Sequence, residues 1–167
     1  LNFVLYGASP IADDTILKAK EIMQCDLYQV YGLTETTGAI TIMMPEDHDP
    51  KKGKLRSCGK ALKGVELKVV DENGNDLKTG EIGEVISKSD LNMKGYWNKP
   101  DATKESIVDG WFYSGDAGFF DDEGYLFIHD RVKDMIVSGG ENIYPAEVEN
   151  ALMSHKEILD AAVVGIP

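Results

Sequence analysis

Apolar residues in the first part of the chain cluster in short runs that predict an alternation of strands with one helix. Residues 3–6 predict a buried strand, and residues 7–10 predict the turn after it. Asp13 can cap a helix whose apolar positions recur at helical spacing, at Ile16, Ala19 and Met23. Further strands are predicted at residues 27–31 and 39–44. This order predicts an α/β unit with parallel strands.

From about residue 55 the pattern changes to short alternating stretches, which are typical of antiparallel strands. Residues 65–70 alternate between apolar and polar side chains, and residues 71–76 form a hairpin-turn signal before the next strand, which starts at Gly80. Residues 118–128 repeat this arrangement around an acidic glycine turn. We therefore expect a small β-sheet or barrel that extends to residue 130.

Beyond Arg131 the pattern changes again, to a short hairpin, a helix from Pro145 and a strand at residues 161–167. The predicted apolar stripe of this helix consists of Val148, Ala151 and Leu152. The whole pattern predicts an α/β plus β fold in three parts. These are a partial α/β layer in residues 1–54, a β-barrel-like subdomain in residues 55–130 and the start of a small α+β C-terminal domain in residues 131–167.

Composition and charge exclude several classes of protein. No stretch approaches the roughly 18 consecutive apolar residues of a membrane span, so no transmembrane segment is expected. Seventeen Lys and Arg against twenty-nine Asp and Glu give a net charge of −12 without a basic stripe, which argues against a nucleic-acid partner. Cys25 and Cys58 lie far apart without a CxxC pair, so we expect reduced thiols and a cytoplasmic protein.

Four glycine-bearing loops at the ends of predicted strands contain most of the residues that could do chemistry. They span residues 7–10, 31–38, 113–118 and 138–142. Loops at strand ends are where α/β proteins usually place binding sites. Taken singly, each feature has a simpler explanation: a turn at residues 7–10, a solvated carboxylate at Glu35, an Asx-turn at Asp116, and a surface pair at Arg131 and Lys133.

Taken together, the loops form a recognisable pattern. Residues 7–10 are Gly-Ala-Ser-Pro, residues 31–35 are Tyr-Gly-Leu-Thr-Glu, residues 110–116 are Gly-Trp-Phe-Tyr-Ser-Gly-Asp and residues 130–134 are Asp-Arg-Val-Lys-Asp. Between them lie Gly-Glu-Ile-Gly-Glu-Val at residues 80–85 and Gly-Tyr-Trp-Asn-Lys-Pro at residues 95–100. In order and spacing, essentially the whole chain resembles the adenylate-forming superfamily of acyl-CoA synthetases, luciferases and peptide-synthetase adenylation domains.

That resemblance implies the adenylate-forming enzyme fold and a reaction in two steps. A carboxylic acid is activated with ATP and Mg2+ to an acyl-adenylate, with release of pyrophosphate, and the acyl group then passes to the CoA thiol. The implied partners are therefore ATP, a carboxylic acid and CoA. Glu35 is expected to hold the magnesium ion, for which a hard carboxylate oxygen is suited. Thr34 is expected to donate its hydroxyl to the α-phosphate.

The resemblance also assigns residues to the nucleotide. Tyr31 is expected to stack on adenine while the backbone of Gly7 and Ala8 packs against the base. Asp116 is expected to accept from both ribose hydroxyls, with Arg131 also reaching the ribose. Ile128 matches an apolar position near the nucleotide, although such a residue is more often ordinary core. The expected cofactor-binding residues are Gly7, Ala8, Ser9, Tyr31, Gly32, Thr34, Asp116, Ile128, Arg131 and Gly140.

Lys133 lies at the position where the family hinges its two domains. The small domain rotates there between an adenylating and a thioester-forming arrangement, and in the second the hairpin at residues 138–143 reaches the active site. Gly140 is expected to leave room for the pantetheine chain of CoA. Asn142 departs from the Arg or Gln of many relatives, so a phosphate contact is not expected there.

Two parts of the family pattern do not occur in these 167 residues. They are the Ser/Thr/Gly-rich phosphate loop with its Lys and the catalytic Lys on a Gly-Lys turn. We therefore expect the end of a large N-terminal domain, the hinge and the first part of the mobile domain. The favoured hypothesis is a segment of an acyl-CoA synthetase, inactive alone, whose parent acts on a fatty acid. The alternatives are an isolated unit with at most nucleotide binding, or a segment of an aryl-CoA ligase or peptide-synthetase adenylation domain.

Overall fold

The first part of the chain folds into a four-stranded sheet with the strand order β1-β2-β3-β4. The computed structural model describes residues 1–9, 11–139, 141–153 and 155–166. Strands β1 and β2 are parallel, while β3 and β4 add on antiparallel. The predicted α/β unit with a parallel pair is thus confirmed. Its elements are β1 (Phe3–Gly7), helix α1 (Asp13–Met23), β2 (Asp26–Leu33), β3 (Gly38–Met43) and β4 (Lys60–Ala61).

Helix α1 packs through Ile16, which is 1% exposed and forms a core cluster with Leu27 and Leu55. The prediction that Asp13 caps this helix was wrong, because Ala12 occupies the cap position and no side chain bonds the helix start. Asp13 is instead the first helical residue and accepts from Arg56 at 3.3 Å. A carboxylate in the first turn still interacts favourably with the helix dipole.

The second part is an antiparallel sheet of five strands, with helix α2 (Pro100–Ser106) inserted before its short strand. Strand β8 pairs with β6 along one side, and β6 pairs in turn with the edge strand β5. Along its other side β8 pairs first with β7 and then with β9. Register shifts between Glu84 and Ile86 and between Ala117 and Gly118 mark bulges, which bend and twist a sheet. The strands are β5 (Glu66–Val70), β6 (Gly83–Lys88), β7 (Ile107–Val108), β8 (Trp111–Phe120) and β9 (Leu126–Arg131).

The two sheets are joined at Leu126, which is fully buried. Its carbonyl accepts from the Cys58 amide at 2.7 Å, and its amide donates to the Gly59 carbonyl at 2.9 Å. Gly59 has φ +85°, and a Cβ there would lie 2.0 Å from the Ile42 carbonyl oxygen, so only glycine fits this crossing. Because β4 still pairs with β3, the change of sheet falls after Ala61.

After β9 the chain forms a hairpin of β10 (Ile136–Ser138) and β11 (Glu141–Ile143), then helix α3 (Pro145–Met153). The helix start at Pro145 agrees with the prediction. The strand predicted at the C-terminus was wrong for residues 161–166, which pair with no strand in the described part of the chain. An apolar run forms a strand only where a partner strand satisfies its backbone. None of the described helices is long and apolar enough to span a membrane.

The polar connection after β3 contains a buried histidine that the sequence pattern did not indicate. His48 has no exposed surface. Its Nδ1 lies 2.9 Å from the Met44 carbonyl oxygen, and its Nε2 lies 2.9 Å from the Tyr6 hydroxyl. Nδ1 must donate to the carbonyl, and in the neutral ring Nε2 accepts from the Tyr6 hydroxyl. Burial lowers the pKa of His48, which favours this neutral ring.

We expect this histidine to make folding stability depend on pH. Below about pH 6.5 the unfolded chain binds a proton at His48 that the folded chain excludes, so unfolding free energy falls as pH drops from about 7 to 5. The slope from this one group is at most about 1.4 kcal/mol per pH unit. His48→Asn should reduce the pH dependence of the unfolding free energy measured in urea. The control His155→Asn, at an exposed position, should leave that pH dependence unchanged. An unchanged slope in His48→Asn would contradict this account.

Candidate functional site

A cleft of about 310 Å³ lies between the turn after β2 and the central strand of the second sheet. Two of the predicted site residues line it, Glu35 and Arg131. Two further carboxylates, Glu84 and Glu105, also line it, so Arg131 is the one cation among its lining residues. The cleft therefore offers oxygen ligands to a cation and one guanidinium to an anion. Its other lining residues are Leu33, Tyr96, Ser106, Phe112, Tyr113, Ser114 and Gly115.

Asp116 connects three separate parts of the chain at the edge of this cleft. Its Oδ2 accepts from the Tyr31 hydroxyl at 2.6 Å, and its Oδ1 accepts from Arg131 Nη1 at 2.8 Å. Arg131 is the direct cross-strand neighbour of Asp116 in the β8–β9 ladder, whereas Tyr31 comes from the first sheet. Burial raises the pKa of Tyr31, and the nearby Asp116 charge adds to this. Tyr31 therefore remains a hydrogen-bond donor in neutral and mildly alkaline solution.

The predicted magnesium ligand, Glu35, lies in a 3-10 turn formed by Thr34–Thr36. Thr36 is fully buried and holds the turn closed: its Oγ1 accepts from the Leu33 amide at 2.9 Å and lies 2.7 Å from the Gly38 carbonyl oxygen. Thr34 is exposed in the same turn. Glu35 Oε1 accepts from the Tyr96 hydroxyl at 2.9 Å. Within the described residues, the other oxygen, Oε2, has no hydrogen-bonding partner.

Glu84 and Tyr96 are site residues to which sequence reasoning gave no role. Glu84 Oε1 accepts from the Gly115 amide at 2.8 Å, next to Asp116. Burial raises the pKa of Glu84, and the charge of Asp116 acts in the same direction. Both residues belong to motifs already recognised, at residues 80–85 and 95–100. Their motif membership was the available signal, but only the tertiary structure places them in the cleft, Glu84 through the register of β6 and Tyr96 through its bonds to Thr103 and Glu35.

The glycines predicted to bind nucleotide have packing reasons for being glycine. A Cβ at Gly7 would lie 2.1 Å from the Val30 carbonyl oxygen, and one at Gly32 would lie 1.9 Å from the Gly38 carbonyl oxygen. Ala8 follows with φ 70°, a left-handed conformation that costs a non-glycine residue about 1–2 kcal/mol. Ala8 and Ser9 are exposed beside the end of β2. Gly7, which precedes them, pairs with Val30, the residue before Tyr31.

Among the other predicted residues that the structure describes, Ile128 and Lys133 are not part of the cleft lining. Ile128 packs against the core cluster of Cys58, Val85 and Leu126, which is the ordinary explanation for its apolar side chain. Lys133 is exposed in the turn Val132–Asp134. Gly140 lies outside the described residues. A second cavity, of about 400 Å³, lies beside α3 and contains none of the predicted site residues.

The chain matches the sequence profile of the family described as AMP-binding enzyme over residues 1–97. It is 42% identical, over 100% of its length, to a fatty acid–[acyl-carrier-protein] ligase of Streptomyces coeruleorubidus. It is 41% identical, over 99% of its length, to a long-chain-fatty-acid–CoA ligase of Mycobacterium tuberculosis. It covers 32% of each of these relatives, and so spans about one third of their length.

A solved structure of o-succinylbenzoate–CoA synthetase from Bacillus subtilis, in complex with its acyl-adenylate intermediate, aligns with 100% of the chain. The TM-score is 0.91 and the identity 38%, and the chain covers 34% of that structure. The same enzyme has been solved with ATP and a magnesium ion, where the TM-score is 0.89 and the identity 38% over 99% of this chain and 34% of that one. The predicted α/β plus β fold is thus confirmed.

The Tyr31–Asp116 bond leads to a prediction about stability. Tyr31→Phe keeps the aromatic ring and removes one hydrogen bond to a buried carboxylate, so unfolding free energy should fall by about 1.5–3 kcal/mol in urea titrations. In an Asp116→Ala background the same change should be nearly neutral, because the acceptor is gone. Tyr28→Phe is a matched control, because Tyr28 contributes an edge-to-face contact with Phe3 that does not need its hydroxyl. Equal losses in both backgrounds would contradict the bond.

Proposed function

We propose that this chain, which belongs to the AMP-binding enzyme family, is a segment of an ATP-dependent acid–thiol ligase. The ligase converts a carboxylic acid to an acyl-adenylate and transfers the acyl group to CoA. The observation that carries this proposal is the cleft that Glu35 and Arg131 both line, with Arg131 bonded to Asp116, which also accepts from Tyr31. The Glu35 carboxylate suits a phosphate-bound cation, and Asp116 with Arg131 suits a ribose.

The donor set of the cleft fits a magnesium ion bound together with a nucleotide. No group of three or more His, Cys, Asp or Glu side chains in the described chain forms a metal-binding cluster. Magnesium commonly takes only one or two protein carboxylates and completes its shell with phosphate oxygens and water. Glu35, with Oε2 available, would supply that carboxylate. When bound, the ion supplies positive charge that offsets repulsion between the acid's carboxylate and the α-phosphate.

The protein's own residues orient the nucleotide. Asp116 carries one protein donor on each oxygen, and each carboxylate oxygen has two lone pairs, so acceptor capacity remains for ribose hydroxyls. Arg131 holds this carboxylate in place and keeps its own side chain 46% exposed toward the solvent side of the cleft. Thr34, exposed one residue before Glu35, can donate its hydroxyl to the α-phosphate.

For the acid we propose a fatty acid, since two of the relatives named above carry fatty acid in their names. The name of the o-succinylbenzoate enzyme instead indicates an aromatic acid, and its structure matches this chain with a TM-score of 0.91. The acceptor named for the Streptomyces relative is an acyl-carrier protein, whereas the Mycobacterium relative uses CoA. A panel of alkyl and aryl acids with both thiol acceptors, given to the complete protein, separates these choices.

Glu35→Ala in the complete protein tests the magnesium assignment. Acid-dependent exchange of pyrophosphate into ATP should fall roughly 100-fold, because the charge stabilisation is needed most in the transition state. The affinity for ATP measured without magnesium should change by less than about threefold, since the ribose and base contacts remain. The control Glu46→Ala removes an exposed carboxylate outside the cleft and should leave both values unchanged. Equal losses in exchange and in ATP affinity would assign Glu35 to binding alone.

We further propose that Lys133 lies at a hinge between residues 55–130 and the C-terminal part of the chain. The support is its position in the exposed turn Val132–Asp134, directly after the nucleotide-side residue Arg131. Lys133→Pro stiffens this backbone and should spare adenylation while lowering thioester formation by at least about tenfold. The two half-reactions are measured separately by pyrophosphate exchange and by acyl-CoA production. An unchanged second half-reaction would refute the hinge.

A further inference from the structure

The loop that follows β6 is fastened to the turn that carries Glu35. We call residues 89–99 the clamp loop. Three hydrogen bonds join the two segments. Thr37 Oγ1 donates to the Leu91 carbonyl at 2.6 Å, the Met93 amide donates to the Glu35 carbonyl at 2.6 Å, and the Tyr96 hydroxyl donates to Glu35 Oε1 at 2.9 Å. The first two bonds already hold the backbones together. The Tyr96 bond acts on the Glu35 carboxylate alone.

The position of Tyr96 is itself fixed by the start of helix α2. The Tyr96 amide donates to Thr103 Oγ1 at 2.9 Å, and that hydroxyl donates to the Lys99 carbonyl at 2.9 Å. A Cβ at Gly95 would lie 2.7 Å from Thr103 Cγ2, so glycine at 95 permits this close packing. Burial raises the pKa of Tyr96, and the bond to Glu35 adds to this, which keeps the hydroxyl protonated as a donor.

We propose that Tyr96 is a positioning residue that fixes the carboxylate of Glu35 so that Oε2 is presented to a nucleotide-bound magnesium ion. The inference rests on the proposed function for the identity of the ion. Tyr96, Glu35 and Arg131 all line the same cleft, so the Glu35 carboxylate borders the space where phosphate oxygens would complete the metal shell.

The physical reason for such a residue lies in the freedom of a glutamate side chain. An unrestrained Glu has three rotatable bonds and loses that freedom when it binds a metal. A donor that holds one oxygen already restricts the side chain in the folded protein, so less conformational entropy is lost when the metal binds. The second oxygen is then oriented before the metal arrives. Removing a residue that hydrogen-bonds a metal ligand typically lowers metal affinity or activity by 10- to 100-fold. We expect an effect at the lower end, because Tyr96 contacts only one carboxylate oxygen.

The test measures how strongly magnesium and nucleotide support each other's binding in the complete protein. The dissociation constant of a non-hydrolysable ATP analogue is measured by calorimetry without magnesium and with saturating magnesium, and the ratio of the two is the readout. Tyr96→Phe should lower this ratio about tenfold relative to wild type. Glu35→Ala removes the proposed magnesium ligand and should therefore give the lowest ratio of the series. Thr37→Ala is the matched control, since it removes the other side-chain bond between the clamp loop and the Glu35 turn and should leave the ratio within about twofold.

The outcomes separate this inference from the proposed function. A wild-type ratio in Tyr96→Phe, with or without a lower Tm, assigns the hydroxyl to stability alone and overturns the proposal. An equal drop in Thr37→Ala also overturns it, because anchoring of the loop would then be the cause. If no acid supports pyrophosphate exchange, the proposed function fails, but the ratio still decides the role of Tyr96. If wild type and Glu35→Ala give the same ratio, both proposals fail.

Discussion

The buried carboxylate of Asp116 is the constraint on which the rest of the site depends. Only 6% of the residue is exposed, and a charge in such a place must be paired and hydrogen-bonded to be tolerated. Its two partners come from distant parts of the chain, Tyr31 from the first sheet and Arg131 from the end of β9. Satisfying this one charge therefore fixes the first sheet against the second sheet at the end of β9.

The site lies where the two sheets meet, so its geometry depends on hydrogen bonds between residues that are distant in the sequence. The mixed sheet contributes the turn with Glu35, whereas the antiparallel sheet contributes Glu84, Asp116 and Arg131. Leu126 ties the sheets together through its backbone, and the clamp loop ties the Glu35 turn to the second sheet. No buried side-chain nitrogen or oxygen among the described residues lacks a hydrogen bond. A buried hydrogen-bond network between two sheets keeps its geometry only while every donor and acceptor in it is present.

Several residues of the recognised motifs serve the fold as much as the chemistry. Gly7 and Gly32 occur where backbones approach too closely for a Cβ, and Ile128 completes a core cluster. These positions were expected to bind nucleotide on the resemblance alone. Their packing explains the residue types without a ligand, so identity at such positions is weaker support for function than the cleft contacts of Glu35 and Arg131.

The sequence by itself determined the family and most strands, because local apolar periodicity and ordered motifs are properties of neighbouring residues. Only the tertiary structure revealed the buried His48, the hydrogen bonds of Glu84 and Tyr96, and the absence, within the described part of the chain, of a strand that pairs with residues 161–166. Each of these depends on a partner distant in the chain: Tyr6 for His48, Gly115 for Glu84, Glu35 for Tyr96, and a neighbouring strand for the last. A motif indicates which residues are present, but only folding decides which of them meet.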